Sequence, residues 1–76
     1  ASKISVASAK QQISDTFEIK NQRLVLAPLD YNREVLCYEF ECERNGSTYY
    51  FYINAETGVE ENILKVVKTN DGSKLM

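Results

Sequence analysis

The sequence contains no histidine, so the commonest general base near neutral pH and the commonest metal ligand are both missing. Two cysteines, Cys37 and Cys42, are present. A metal site needs more ligands than these two provide, and a nucleophilic cysteine needs a base or a cationic neighbour. We therefore expect no metal, no cofactor and no catalytic residues, and an enzyme fits this composition poorly.

Clustered basic residues and long apolar runs are also missing. The nine Lys and Arg residues are scattered and outnumbered by eleven Asp and Glu, for a net charge of −2. Nucleic-acid binding requires a clustered basic surface, which this pattern does not provide. No apolar run has the length needed to span a bilayer, and no signal peptide opens the chain. We expect neither nucleic-acid binding nor membrane contact by these residues.

What the sequence does contain is typical of one small folded domain. With 76 residues, 43% hydrophobic and 26% charged, the chain has the composition of a globular protein and room for one core. A helix is predicted near the start, with Ser5 as its N-cap. Apolar residues recur there at helical spacing, and we expect the helix to end near Asp15 or Thr16. The apolar stripe consists of Val6, Ala9, Ile13 and Phe17.

Four strand-like segments follow the helix. Pro28 lies in the first and cannot donate to a ladder, so this strand belongs at a sheet edge or carries a bulge. The last has irregularly placed apolar residues, which favours a bulge or burial of both faces near its end. A helix is the alternative there, because Ile63, Val66 and Val67 also fit one helical face. The segments are 23–29, 34–44, 47–55 and 59–67.

The two central segments are joined by Asn45-Gly46, the preferred pair for a two-residue type I′ hairpin turn. This turn fixes the register, and the register sends apolar residues to one face and acidic residues to the other. Predicted pairs on the apolar face are Cys42–Tyr49, Phe40–Phe51, Tyr38–Ile53 and Leu36–Ala55. Predicted pairs on the other face are Glu43–Thr48, Glu41–Tyr50 and Glu39–Tyr52.

These elements predict an α+β fold: one N-terminal helix packed on a four-stranded antiparallel meander sheet. The helix is expected on the face that carries Phe40 and Phe51, leaving the other face open. Cys42 then points inward and Cys37 lies on the open face beside Asn54. Opposite faces exclude a disulfide between the two cysteines, so both are interpreted as structural.

The segment Val35-Leu36-Cys37-Tyr38-Glu39-Phe40, together with Tyr52-Ile53-Asn54-Ala55-Glu56-Thr57-Gly58, resembles the PepSY domain. The longer stretch, with Glu60-Glu61, Ile63-Leu64 and the ending Thr69 to Met76, is similar to the last domain of YpeB-type germination proteins. The likeness covers roughly residues 24–76. It implies that residues 1–76 are a single PepSY-like domain, a C-terminal fragment of a longer protein.

The resemblance implies a role in endospore-forming bacteria. The full-length protein would be membrane-anchored, on the exported side of the spore inner membrane. There it would stabilise or restrain a cortex-lytic enzyme. The domain is then a non-catalytic interaction or regulatory module, and its partner is that enzyme or a neighbouring PepSY domain. The alternatives are a purely structural packing module between tandem PepSY domains and a propeptide-like inhibitor of a hydrolase.

The candidate interaction surface is the acidic and aromatic face of the hairpin, extended by Tyr31 and Arg33 from the preceding loop, and an edge strand of the sheet is the alternative contact. Tyrosine offers a large contact area and often anchors interfaces; the alternative is ordinary cross-strand packing. The three glutamates stand about 7 Å apart, a separation that could serve acid–base chemistry on a sugar, although a solvated strand face is the simpler interpretation. The surface comprises Glu39, Glu41, Glu43, Tyr50 and Tyr52. The turn residues of the motif are Asn45, Gly46, Asn54, Ala55, Thr57 and Gly58.

Overall fold

The computed structural model describes residues 3–30, 33–69 and 72–75. Within these ranges the chain forms one short helix followed by an antiparallel meander, in which each strand pairs with the next along the chain. The prediction of one helix and a four-stranded antiparallel meander is confirmed, and a short fifth strand continues the meander. The elements are α1 (Val6–Lys10), β1 (Glu18–Asp30), β2 (Arg33–Arg44), β3 (Ser47–Asn54), β4 (Glu60–Thr69) and β5 (Gly72–Leu75).

Helix α1 begins as predicted but is shorter. The Ser5 hydroxyl accepts the N–H of Ser8 at 3.1 Å, as expected of an N-cap. After Lys10 the hydrogen bonds change to the tighter i to i−3 pattern, the last joining the Ile13 N–H to the Lys10 carbonyl. The predicted end near Asp15 is therefore wrong. The tighter turns bring Ile13 into the core, where 8% of it is exposed.

Strand β1 lies at the edge of the sheet and also carries irregularities, so both expectations drawn from Pro28 are met. One register shift lies between Ile19 and Asn21, and a second between Pro28 and Asp30. The strand begins at Glu18, five residues before the predicted segment. The bulge at Lys20 lets the strand extend beyond the apolar run that marked it in the sequence.

The central hairpin has the predicted register. Asn45 and Gly46 have φ values of 52° and 80°, as a type I′ turn requires. Every predicted pair from Glu43–Thr48 to Tyr38–Ile53 is present. Beyond the ladder, the Ala55 N–H donates to the Leu36 carbonyl at 2.8 Å. The turn and the hydrophobic pattern thus set the same register.

The core lies between α1 and the sheet face of Phe40 and Phe51, as predicted. Phe40 is fully buried, and Phe17 packs edge-to-face on Phe51 with ring centroids 4.9 Å apart. Strand β4 forms as predicted, but its bulge lies at Glu61, near its start rather than its end. No helix in the described part of the chain has the length and apolar character needed to cross a membrane.

Candidate functional site

The sheet face opposite α1 carries most of the predicted site residues, and we call it the open face. It is defined by side chains at alternating positions of four strands. Among the described residues no second layer of helix or sheet packs over it. The open face comprises Arg23, Val25, Ala27, Cys37, Glu39, Glu41, Glu43, Tyr50, Tyr52, Asn54, Asn62 and Leu64.

Glu39 is the centre of a hydrogen-bonded cluster on this face. Only 11% of its side chain is exposed, so it is not the solvated glutamate that the sequence favoured. Arg23 Nε donates to Oε1, and the Tyr52 hydroxyl donates to Oε2 at 2.6 Å. The three residues are cross-strand neighbours on β1, β2 and β3. Both carboxylate oxygens therefore have a partner, as a buried carboxylate requires.

The protonation of this cluster follows from its contacts. Burial alone would raise the pKa of Glu39, but the hydrogen bonds from Arg23 and Tyr52 outweigh burial and hold that pKa below its usual range. Burial and the bond to Glu39 raise the pKa of Tyr52 to about 12. At neutral pH, Glu39 is an ionised acceptor and Tyr52 a neutral donor. A general acid for sugar chemistry needs a raised carboxyl pKa, which is the opposite of what Glu39 has.

The other two predicted glutamates lie in different surroundings. Glu41 is half-buried and Glu43 exposed, and neither makes an ion pair within the described residues. Glu43 stands directly opposite Glu18 of β1, and like charges in that position repel. Tyr50, half-buried, lies between Glu41 on β2 and Leu64 on β4. The predicted surface therefore contains one carboxylate that accepts two hydrogen bonds, Glu39, and two carboxylates without an ion pair in the described residues, Glu41 and Glu43.

A groove of about 360 Å³ runs along the open face beside this cluster. Its volume lies at the small end of the range for ligand-binding clefts. Its walls combine apolar side chains with the Glu39 cluster, and they reach from the edge strand to β4. The groove is lined by Arg23, Val25, Leu26, Ala27, Pro28, Glu39, Tyr52, Asn62 and Leu64.

The motif turn after β3 is organised by Asn54. Its Oδ1 accepts the N–H groups of Glu56 at 2.8 Å and Thr57 at 3.0 Å, an Asx-type turn. The Gly58 N–H donates to the Asn54 carbonyl at 2.9 Å, and Gly58 has a φ of 79° that favours glycine. The predicted turn residues from Asn54 to Gly58 therefore reverse the chain between β3 and β4.

A second polar cluster lies at the Asn54 end of the open face. Asn54 Nδ2 donates to Glu61 Oε2 at 2.9 Å, and Arg33 Nη2 lies 3.8 Å from Glu61 Oε1. The bulge in β4 places Glu61 there. Arg33 therefore joins this cluster, while Tyr31 lies outside the described residues. Cys37, paired with Asn54 as predicted, is nonetheless fully buried on the open face.

Both thiols are free and lie in surroundings that disfavour the thiolate. Burial raises the pKa of Cys42 to about 11. Burial and the neighbouring Glu61 also raise the pKa of Cys37. Since the thiolate is the nucleophile, neither cysteine is activated. The interpretation of both as structural agrees with these positions.

Sequence reasoning missed two contributors to this region. Arg23 is predicted only as part of a strand, because the register shift between Pro28 and Asp30 decides which β2 residue it faces, and the sequence does not fix that shift. Tyr38 was assigned only to the core, yet its hydroxyl donates to the Ile4 carbonyl at 2.7 Å, while the Ile4 N–H donates to Ala55 at 2.7 Å. The first bond joins the N-terminal segment to β2, and the second joins it to the motif turn. For Arg23, the sequence feature that could have indicated its role is its charge, which is opposite to that of Glu39 on the neighbouring strand.

Comparison with known proteins places these features in a family. Residues 3–64 match the family model of PepSY, described as the peptidase propeptide and YPEB domain. The chain is 40% identical over 58 residues to the sporulation protein YpeB of Halalkalibacterium halodurans, covering 76% of this chain and 13% of that protein. It is 35% identical over 63 residues to the sporulation protein YpeB of Bacillus subtilis, covering 83% and 14%.

A solved structure agrees with these matches. The Bacillus megaterium YpeB C-terminal domain superposes with a TM-score of 0.77 and 41% identity, covering 83% of this chain and 28% of that chain. The described chain thus spans only a small part of each relative. The family match over most of the residues, together with the shared fold, shows that the chain belongs to the PepSY family.

Proposed function

We propose that this PepSY domain is a non-catalytic protein-binding module of a YpeB-like sporulation protein, and that the open face contacts its partner. The observation that carries the proposal is the strip formed by Tyr50, Tyr52 and Leu64 beside a groove of about 360 Å³. No described layer covers this strip. Half-buried tyrosines next to a groove are the residues that anchor protein interfaces, because they bring large contact area at low entropic cost.

A binding role fits the chemistry of the face better than a catalytic one. The buried carboxylate of Glu39 is ionised and held by two donors. The two thiols have raised pKa values, and the sequence has no histidine. The pKa values of these groups are therefore shifted in the directions that make proton transfer at neutral pH less favourable. They are arranged instead to keep the strands in place beneath the contact surface.

The proposed partner is a spore cortex-lytic enzyme, which the parent protein stabilises or restrains on the exported side of the spore inner membrane. Two lines support this choice. The relatives with 35–40% identity are named sporulation proteins, and the resemblance of the hairpin and motif turn to YpeB-type proteins implies such an enzyme as the partner. Inhibition of that enzyme by the domain itself, as by a propeptide, is the strongest form of the proposal.

Tyr50→Ala tests the contact surface. Binding of the purified chain to a recombinant cortex-lytic enzyme is measured by calorimetry, and the substitution is expected to weaken it by about 30-fold or more if Tyr50 is a central anchor. Tyr49→Ala is the matched control, because Tyr49 lies next in sequence but on the α1 side. Circular dichroism confirms that each variant is folded at the assay temperature. Unchanged binding by Tyr50→Ala would remove the open face as the contact surface.

Direct inhibition has its own test. The chain is added in increasing amounts to the enzyme acting on purified cortex, and a dose-dependent loss of activity is expected. Tyr50→Ala should require a correspondingly higher dose. If the enzyme is bound but its rate does not change, the domain tethers the enzyme without inhibiting it.

A second candidate function is packing between tandem PepSY domains. It is favoured by the size of the solved relative, since this chain covers only 28% of the Bacillus megaterium YpeB C-terminal domain. In that case the open face is covered by a neighbouring part of the same protein. Hydrogen exchange of β3 amides in the isolated chain and in the full-length protein distinguishes the two: intramolecular packing predicts strong added protection at Tyr50 and Tyr52 without any enzyme.

A further inference from the structure

We propose that the outer edge of β1 binds an extended segment of the partner protein as an added strand over residues 21–27, and that this segment carries an acidic side chain beside Arg23. The inference rests on the proposed protein-binding function and specifies how binding occurs and what chemistry the partner brings. It assigns the backbone contact to the sheet edge and the side-chain contacts to both sides of that edge.

The edge is open over a defined length. Strand β1 is the first strand of the sheet, so among the described residues one row of its backbone N–H and C=O groups has no partner strand. Irregularities interrupt the strand at Lys20 and beyond Pro28, and Pro28 has no N–H to donate. Between these two points residues 21–27 pair regularly with β2. The two irregularities therefore delimit a seven-residue stretch that can accept a strand.

This stretch lacks the charges that usually protect an edge. Its residues are Asn-Gln-Arg-Leu-Val-Leu-Ala, with Arg23 as the single charge. Leu24 is 43% exposed and Leu26 is 58% exposed, both on the α1 side of the sheet. Exposed leucines on a bare edge would be covered by the side chains of an added strand. The incoming segment is therefore apolar on that side.

The other side of the same stretch borders the groove. Val25 and Ala27 line it, together with Leu26, Pro28 and Leu64. An added strand points alternate side chains toward Leu24 and Leu26 on one side and toward the rim of the groove on the other. One strand can thus use both apolar surfaces, which is the recognition mode of strand addition: backbone bonds supply affinity, and alternate pockets supply specificity.

Arg23 indicates that the added strand carries a negative charge. Its Nε donates to Glu39, whereas its Nη atoms make no hydrogen bond to the described residues, and 70% of its side chain is exposed. In the cross-strand row Tyr52–Glu39–Arg23, the next position outward belongs to the added strand. A carboxylate there would meet the free edge of the guanidinium in the geometry that arginine favours. The buried bond to Glu39 holds the guanidinium in place for it.

The test uses a synthetic peptide, acetyl-Lys-Val-Thr-Val-Glu-Val-Thr-Val-Lys-amide, titrated into the ¹⁵N-labelled chain. Amide shifts are expected in residues 21–27, with contacts between α-protons of the peptide and β1. Replacing the central glutamate of the peptide by lysine should weaken binding by about 3-fold or more, as expected for exchanging an opposite-charge for a like-charge neighbour. Absence of shifts at residues 21–27 with the glutamate peptide at millimolar concentration would overturn the inference.

Leu24→Lys tests the edge in the chain itself. This side chain is 43% exposed and is not among the residues that line the groove, so the fold should persist while binding of the peptide falls at least 10-fold. Val59→Lys is the matched control, since Val59 is 54% exposed and lies outside β1. Sedimentation of the chain alone addresses the other occupant: a dimer that Leu24→Lys dissociates would mean that a second copy covers the edge, and the inference would fail.

The enzyme-binding assay separates this inference from the proposed function. If Tyr50→Ala weakens enzyme binding while Leu24→Lys does not, the open face is the contact surface and strand addition is wrong. If Leu24→Lys weakens enzyme binding as well, strand addition is supported with the natural partner. If wild type binds neither the enzyme nor the peptide, both proposals fail.

Discussion

The two faces of the sheet are buried by different kinds of interaction. On the α1 side, Phe40 and Ile53 are fully buried under a helix and apolar neighbours. On the open face, Glu39 is 9% exposed although the described part of the chain places no layer over it, because Arg23 and Tyr52 lie against it in the same sheet. The first face is stabilised by removing apolar surface from water. The second is stabilised by satisfying one charged group, which leaves a surface available to a partner.

The comparison predicts that the α1 side carries most of the stability. Phe40→Ala removes a fully buried ring from the centre of the core, and such changes cost about 3–5 kcal/mol. A domain of 76 residues has a thin margin of stability, so the variant is expected to be largely unfolded at room temperature. Urea unfolding followed by circular dichroism measures the effect.

Tyr50→Ala is the control on the other face. Tyr50 is half-buried on the open face, so its loss should lower the free energy of unfolding by less than half as much. Equal losses of unfolding free energy for Phe40→Ala and Tyr50→Ala would mean that the two faces contribute equally to stability, and the prediction would be wrong.

Glu39→Gln is expected to have the next largest effect. It removes the charge that both Arg23 and Tyr52 contact, and hydrogen bonds to charged groups contribute about 1.5–3 kcal/mol; the high exposure of Arg23 favours the lower end. Because the folded-state pKa of Glu39 is lowered, its contribution is complete above the ordinary glutamate range near pH ~4.3 and is lost as pH falls through the lowered value. Urea unfolding at a series of pH values measures it.

Relative to wild type, Glu39→Gln should reduce the loss of stability on acidification. The matched control for removal of the carboxylate is Glu43→Gln, compared at neutral pH. Glu43 lies four residues further along β2, exposed and without an ion pair in the described residues. Glu43→Gln is expected to be neutral or slightly stabilising there, because it relieves repulsion with Glu18. Identical pH profiles for wild type and Glu39→Gln would disprove the role given to the carboxylate.

The same contrast explains how much the sequence predicts. Alternation of apolar residues around Asn45-Gly46 predicts the register of Phe40 with Phe51, since turn chemistry and burial act locally. The cluster around Glu39 depends on pairing with Arg23, which is sixteen residues away along the chain and lies beyond the register shift between Pro28 and Asp30. The bulge that brings Glu61 to Asn54 is likewise a departure from regular pairing. The buried face of a strand can be predicted from its own sequence, whereas the polar partner of a side chain depends on how distant strands pair in the folded chain.

Gly58→Ala tests the motif turn that joins β3 to β4. Gly58 has a φ of 79°, and an L-residue in that region costs roughly 1–2 kcal/mol. The added Cβ would lie 3.4 Å from Ile4 Cδ1, so crowding adds little. Gly46→Ala is the control: its φ is 80° and nothing lies within 4 Å of its Cβ. Thermal unfolding should show similar losses for both, and a much larger loss for Gly58→Ala would show that Ile4 cannot move aside.

Tyr52→Phe should have the smallest effect and the most specific one. It keeps the ring on the open face and removes only the hydroxyl that donates to Glu39 at 2.6 Å, so the free energy of unfolding should fall by about 0.5–1.5 kcal/mol. The pKa of Glu39 should rise, because one of the two bonds that favour its ionised form is lost while its burial remains. An NMR titration of the Glu39 carboxyl carbon measures this directly. An unchanged pKa would mean that Arg23 alone holds the carboxylate. Since the ring is retained, partner binding should persist in Tyr52→Phe. The hydroxyl would then stabilise the sheet, and the ring would contact the partner.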